Sequence, residues 1–122
     1  MATVNLSSEE FEAAVTKSGI TFVDFWAAWC GPCRTFGPIF EAASDKYPDM
    51  QFFKVDTESE QAIAAAAQIT SIPTLMAFRD GILVYREAGA LPAPQLEELI
   101  KAVSALDMEA IKKEISEQDE NK

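Results

Sequence analysis

Both cysteines of the chain lie in the stretch WAAWCGPC, residues 26–33, where they are spaced Cys-x-x-Cys. An apolar run at 21–26 predicts a buried strand before this stretch, and a helical pattern follows it at about 34–47. We therefore expect Cys30 at a helix N-terminus, where unpaired N–H groups and the helix dipole stabilise an anion. This position favours Cys30 as an attacking thiolate and Cys33, one turn later, as the resolving thiol.

A Cys-x-x-Cys pair can also bind a metal ion, form a structural disulfide or remain inert. A structural zinc ion needs four ligands, and the chain has no histidine and no third cysteine, so one chain lacks two of them. A purely structural disulfide would close a very short loop and gain little stability. Two inert buried thiols remain an alternative, but they would not require this spacing. Redox chemistry is the preferred interpretation, and no metal site is expected.

Composition limits the remaining classes of function. A chain of 122 residues with 48% hydrophobic residues suits one domain with a core. The formal net charge of −10 argues against binding to nucleic acid and suits partners with basic patches. No apolar run is long enough to span a bilayer, and residues 1–5 lack the features of a signal peptide. We expect a cytoplasmic protein whose cysteines are catalytic.

Two capping-box patterns predict helix starts. Ser7 and Glu10 form the first, before a helix that Gly19 is expected to end. The sequence TESE at 57–60 matches the second, before an alanine-rich helix to about Gln68. A third helix is the one that follows the cysteines, and a fourth begins after the prolines at 92 and 94.

The strand patterns predict an α/β fold. Runs at 21–26 and 51–56 are apolar on both faces, as in central strands covered by helices. Two further strands, at 75–79 and 82–87, are joined by Asp80 and Gly81, a two-residue hairpin signal. A short strand is also expected at 3–6, before the first helix. The order β-α-β-α-β-α-β-β-α therefore indicates a mixed sheet with helices on both faces and an antiparallel hairpin at its end.

The chain resembles the thioredoxin family from about residue 4 to residue 106. The resemblance rests on motifs in family order and spacing: VDFW at 23–26, WCGPC at 29–33, Pro38, VD at 55–56, IPT at 72–74, DG at 80–81 and GA at 89–90. It implies the thioredoxin fold, a central mixed five-stranded sheet flanked by four helices. It also implies reduction of disulfides in other proteins.

The resemblance assigns roles to individual residues. Cys30 corresponds to the attacking cysteine, Cys33 to the resolving cysteine, and Asp24 to a buried acid that helps to deprotonate Cys33. The peptide bond between Ile72 and Pro73 corresponds to a cis bond in the family. The docking groove for an extended client segment is implied at Trp29, Gly31, Pro32, Ile72, Pro73, Gly89 and Ala90.

The environment of Asp24 also follows from the strand pattern. Alternation places Asp24 on the same face as Phe22, beneath the helix that carries Cys33. Burial should raise the pKa of the Asp24 carboxyl group. Many bacterial members of the family have a lysine near this acid, but that position is Phe52 here, and only Lys54 remains to contribute a positive charge.

The resemblance also implies partners. Disulfide-containing proteins would be the clients, a flavoprotein thioredoxin reductase that uses a nicotinamide cofactor would be the electron donor, and the protein itself would hold no cofactor. The Gly-Pro pair between the two cysteines resembles the corresponding residues of reductases rather than those of oxidases in the same superfamily. A redox-silent binding module or structural subunit of a larger assembly is the alternative, although such a module would need neither thiol. A reductase dedicated to one client is a narrower option.

The last 16 residues extend beyond the family core. Asp107 is a plausible N-cap, and Met108, Ile111 and Ile115 fall on one helical stripe. We therefore divide the chain into a domain at 1–106 and an extension at 107–122, with a short amphipathic helix to about Ser116.

Overall fold

A five-stranded mixed sheet forms the centre of the computed structural model, which describes residues 2–120. Its strands are β1 (Val4–Asn5), β2 (Ile20–Trp26), β3 (Gln51–Asp56), β4 (Thr74–Arg79) and β5 (Ile82–Ala88). Their spatial order is β1-β3-β2-β4-β5, with β1, β3 and β2 parallel and with β4 antiparallel to both β2 and β5. The predicted mixed sheet and its final hairpin are confirmed.

Four helices cover the sheet and a fifth follows them within the described residues. They are α1 (Ser8–Val15), α2 (Gly31–Lys46), α3 (Gln61–Ala66), α4 (Ala93–Ser104) and α5 (Met108–Glu120). Helices α1 and α3 pack on one face of the sheet, and α2 and α4 pack on the other. Residues 2–120 include no helix long and apolar enough to cross a membrane.

Strand β2 contributes side chains to both cores. Val23 and Phe25 pack in the core under α1 and α3, whereas Phe22 packs under α2 and α4. All three side chains are fully buried, which explains the continuous apolar run in the sequence. Since side chains alternate along a strand, Asp24 lies on the face that α2 covers. Phe52 of β3 stacks on Phe22, with their ring centroids 5.2 Å apart.

The first capping box is confirmed, but the predicted end of α1 is wrong. The Ser7 hydroxyl accepts the N–H of Glu10, and the Glu10 carboxylate accepts the N–H of Ser7. The helix ends at Val15, and the C-cap is Thr16, whose backbone N–H and hydroxyl both donate to the carbonyl of Glu12. Gly19, with a φ of +92°, instead turns the chain into β2.

The second capping box is wrong, since α3 begins at Gln61 and has no side-chain cap. The carboxylate of Asp56 accepts the N–H of Glu58 and the hydroxyl of Ser59. Thr57 donates to the carbonyl of Trp26. The side chains of Asp56 and Thr57 therefore bond within the loop or to β2 rather than to the backbone of α3.

The hairpin turn has the backbone geometry that its sequence predicts. Asp80 and Gly81 have φ values of +53° and +82°, and a two-residue turn with both central residues in this region joins antiparallel strands well. The Asp80 carboxylate also accepts the N–H of Gly19 and pairs with Lys112 of α5. The guanidinium of Arg79 donates to three carbonyls at and just after the C-terminus of α4: those of Val103, Ser104 and Leu106.

Helix α5 packs on the domain through its first turn. Asp107 caps the helix by accepting the N–H of Ala110, as the sequence predicts. Met108 is 8% exposed and Ile111 is half-buried, whereas Ile115 is 40% exposed. The helix continues to Glu120, beyond the predicted end near Ser116.

Removal of the extension tests how much it stabilises the domain. We expect deletion of 107–122 to lower the melting temperature, because Met108 leaves a buried site. Met108→Ala alone should lower the free energy of unfolding by about 2 kcal/mol. Ile115→Ala, on the same stripe but exposed, should change it by less than about 0.5 kcal/mol. Urea unfolding measures both, and equal effects of the two substitutions would contradict the packing described here.

Candidate active site

The two cysteines form a disulfide at the start of α2, with their Cα atoms 5.2 Å apart. Cys30 is the N-cap of the helix, which begins three residues earlier than predicted because Cys30 accepts the cap bond and Pro32 suits the first turn. The backbone N–H of Cys33 donates to Cys30 Sγ over 3.2 Å. Within residues 2–120, Cys33 Sγ accepts no such bond. A thiolate at Cys30 would therefore be stabilised by this N–H and by the helix dipole.

A small apolar cluster surrounds the disulfide. Cys30 and Cys33 are both 4% exposed and pack with Ala27 and Ile72. Cys30 Sγ lies 3.7 Å from the carbonyl oxygen of Ile72. The peptide bond between Ile72 and Pro73 is cis, as the resemblance implied. The loop before β4 therefore faces the redox pair.

The structure brings together only part of the predicted docking groove. Pro73 accepts the N–H of Gly89 over 2.8 Å, which fixes the loop before β4 against the end of β5. Gly31 and Pro32 are exposed in the first turn of α2. Ala90 is partly buried and packs against the core under α2 and α4.

Asp24 is fully buried, and neither of its carboxylate oxygens has a hydrogen-bond partner within residues 2–120. Burial raises its pKa to about 7, and the positive charge of Lys54 partly opposes this rise. Lys54 is the residue opposite Asp24 in the register of β3. The upward pKa shift agrees with the sequence-based expectation, and Lys54 supplies the positive charge that Phe52 cannot.

An open cavity of about 460 Å³ lies behind the first turns of α2. It is lined by Trp26, Cys33, Arg34, Gly37, Pro38, Glu41 and Lys54. A Cβ atom on Gly37 would lie 3.9 Å from Lys54 Nζ, so the amine rests against bare helix backbone. The cavity therefore gives solvent a route to both Cys33 and the lysine that opposes Asp24.

One interaction beside the cysteines was not predicted from the sequence. Trp29 is 67% exposed, and its indole Nε1–H donates to Glu58 Oε1 over 2.9 Å. The sequence pattern instead places Glu58 in the capping box predicted for α3. Strand topology could have predicted this contact. Because β2 and β3 are parallel neighbours, the loops that follow them, which carry Trp29 and Glu58, lie at the same end of the sheet.

Metal ligation finds no support in the described part of the chain. Residues 2–120 contain no group of three or more His, Cys, Asp or Glu side chains arranged to hold a metal ion. The chemistry that the site itself supports is exchange between a dithiol and a disulfide.

Comparisons with known proteins agree with this geometry. The family model described as Thioredoxin matches residues 2–102. The "Putative thioredoxin 2" of Streptomyces coelicolor is 44% identical over 117 residues, which are 96% of this chain and 87% of that protein. Such an alignment necessarily includes part of the segment after residue 106. Thioredoxin-1 of Saccharomyces cerevisiae is 36% identical over 76% of this chain and 90% of its own length.

A solved structure shows the same fold. The thioredoxin of Malassezia sympodialis covers 86% of this chain and 96% of its own, with 32% sequence identity and a TM-score of 0.77. The family match, the relatives and the Cys30–Cys33 pair support thiol-disulfide oxidoreductase activity on protein disulfides. The chain belongs to the thioredoxin family.

Proposed function

We propose that Cys30 attacks client disulfides and that Cys33 resolves the product. The Cys30 thiolate attacks one client sulfur, the client S–S bond breaks, and a mixed disulfide forms while the other client sulfur leaves as a thiolate. Cys33 then loses its proton and attacks Cys30 Sγ. The mixed disulfide breaks, the Cys30–Cys33 disulfide forms, and the second client thiolate leaves. Two electrons thus pass from the dithiol to the client.

The observation that carries this assignment is the N-cap bond of α2. The N–H of Cys33 donates to Cys30 Sγ, so the helix N-terminus favours negative charge on Cys30. In the mixed disulfide, Cys33 lies one helical turn from the sulfur that it must attack. The order of attack therefore follows from the place of each sulfur in the helix.

Asp24 is proposed to accept the proton of Cys33. A carboxyl group with a pKa of about 7 exchanges protons readily at neutral pH. Asp24 lies on the face of β2 that α2 covers, and the cavity reaches both Cys33 and Lys54. The proton can then leave through the solvent in that cavity.

The loop at the cis peptide bond is proposed to hold the client chain in an extended conformation. Contacts that support this role are those of Cys30 Sγ with Ile72 and of Gly89 with Pro73. Backbone pairing of this kind tolerates many client sequences. The proposed groove keeps all seven residues: Trp29, Gly31, Pro32, Ile72, Pro73, Gly89 and Ala90.

The cellular setting is also a proposal. We infer a cytoplasmic protein that takes part in electron transport, with a flavoprotein thioredoxin reductase as its donor. The Gly-Pro pair between the cysteines and the family membership support this inference. The division into a domain at 1–106 and an extension at 107–122 belongs to the same proposal.

Trapping experiments test the two cysteine roles. We expect Cys33→Ser to accumulate mixed disulfides with client proteins, because the attacking thiol remains and the resolving thiol is lost. Cys30→Ser should accumulate none above background. Non-reducing gels after incubation with a client disulfide protein measure both variants. Equal trapping by the two variants would refute the assignment.

The electron donor is tested with purified components. A flavoprotein thioredoxin reductase from the source organism should oxidise its nicotinamide cofactor when this protein and insulin are both present. Cys30→Ser should abolish that oxidation. Insulin reduction with dithiothreitol, measured as turbidity, is the control for activity. If dithiothreitol supports turnover and the reductase does not, the proposed donor is wrong, and failure with both would contradict the reductase function.

Asp24→Asn should increase stability and slow the second step of exchange. As pH rises from about 4 to 7, Asp24 ionises in the unfolded chain but not in the folded one, so wild-type stability falls. The pKa of Asp24 rises by about three units on folding. Above pH 7, this rise lowers the free energy of unfolding of the wild type by about 4 kcal/mol. Asparagine does not ionise, so the variant should be more stable by up to about 4 kcal/mol at pH 8 and by far less at pH 4.

Urea unfolding and stopped-flow reduction of a client disulfide measure these two effects of Asp24→Asn. The matched control is Asp49→Asn, an exposed aspartate before β3. We expect the control to leave both the pH dependence and the rates unchanged. Wild-type rates together with lower stability in Asp24→Asn would make Asp24 a structural acid.

A further inference from the structure

We propose that Trp29 and Glu58 form a recognition site for a basic client side chain, preferably arginine, beside the disulfide under attack. The inference rests on the proposed docking of an extended client at the cis-proline loop. It adds a chemical class to that proposal: clients with a positive charge near the reacting cysteine would be reduced faster than clients with a negative one.

Trp29 presents an aromatic face next to the attacking cysteine. Its side chain is 67% exposed, although its neighbour Cys30 is almost fully buried. The bond from its indole Nε1–H to Glu58 fixes the ring edge and leaves the rest of the ring exposed. A guanidinium group stacks well on such a face, because the ring quadrupole attracts a cation.

Glu58 is held in place by its backbone as well as by Trp29. Its N–H donates to Asp56 Oδ1 over 2.9 Å, and its carbonyl accepts the amide of Gln61 over 3.2 Å. Glu58 Oε1 accepts the indole N–H, while Oε2 accepts no hydrogen bond within the described residues. A fixed carboxylate oxygen is therefore available to a ligand at little cost in entropy.

The neighbouring charges do not neutralise Glu58. Neither ion pair found among the described residues includes it. Asp56 and Glu60 lie in the same loop, and their carboxylates accept bonds from Ser59 and from the N–H of Ser8. Arg34, which donates to the carbonyl of Ala28, keeps its positive charge and pairs with none of these three acids within residues 2–120. Because the loop carries three acids, its side of the groove is acidic, and an incoming cation complements it.

A small pocket beside Trp29 has room for the stem of a long side chain. Its volume is about 180 Å³. It is lined by Trp29, Thr57, Ile69, Thr70, Ser71 and Ile72, and none of these residues is charged. The methylene groups of an arginine can pack on its isoleucines while the guanidinium reaches Glu58 and the indole.

Three matched peptides test the inference. Each contains the same disulfide, and the residues on both sides of one cysteine are arginine, glutamine or glutamate. The second-order rate constant for reduction by the reduced full chain is measured at low salt. We expect the rate constant to be highest for the arginine peptide, intermediate for the glutamine peptide and lowest for the glutamate peptide. The arginine and glutamate peptides should differ about tenfold, which is the size that one exposed ion pair and one cation–π contact give together. Added salt should narrow the span.

Glu58→Gln separates this site from the general charge of the protein. The amide oxygen can still accept the Trp29 bond, so the variant removes the charge alone. We expect the ratio of the arginine rate to the glutamate rate to fall about threefold, the share of the exposed ion pair, while the cation–π contact with Trp29 remains. Glu114→Gln, an exposed acid in α5, is the matched control and should keep the wild-type ratio. The rate ratio should depend less on salt in Glu58→Gln than in the wild type or in Glu114→Gln.

The outcomes distinguish the inference from the proposed function. Equal rates for the arginine and glutamate peptides in the wild type, or the same ratio in Glu58→Gln, would overturn the basic site and leave the reductase proposal intact. Failure to reduce any of the three peptides would overturn the proposed docking and this inference with it.

Discussion

The burial of β2 on both faces is the constraint on which the rest of the structure depends. Phe22 and Phe25 must each have a covering layer, so helices lie on both sides and β2 lies inside the sheet. The chain leaves β2 at the C-terminal end of this central strand and enters α2 after a short loop. Cys30 lies at that junction, where a helix N-terminus meets the loop before β4.

The same constraint explains why one acid in the core is costly. Asp24 occupies a position in β2 where an apolar side chain would otherwise pack, and it has no hydrogen-bond partner within residues 2–120. No backbone group requires a carboxylate there, because β2 already pairs with β3 and β4 on its two edges. The proton-transfer role proposed for Asp24 would account for a residue that packing alone disfavours.

Sequence patterns predicted the features that local interactions determine. The N-cap at Cys30, the capping box at Ser7 and the hairpin at Asp80 each depend on residues within four positions of one another. Contacts between distant segments were not predictable in this way. Thr57 bonds to Trp26 and Glu58 bonds to Trp29, so tertiary partners replaced the capping box that the local sequence indicated.

The position of α5 shows how the chain carries an extension without covering the groove. Lys112 pairs with Asp80, which follows the last residue of β4. The first residue of β4, Thr74, adjoins the cis bond, and a strand of this length separates its two ends by about 17 Å. The extension therefore contacts the hairpin at the end of β4 remote from the cysteines. Its acidic residues can change the overall charge of the protein while the loops around Cys30 stay open to a client.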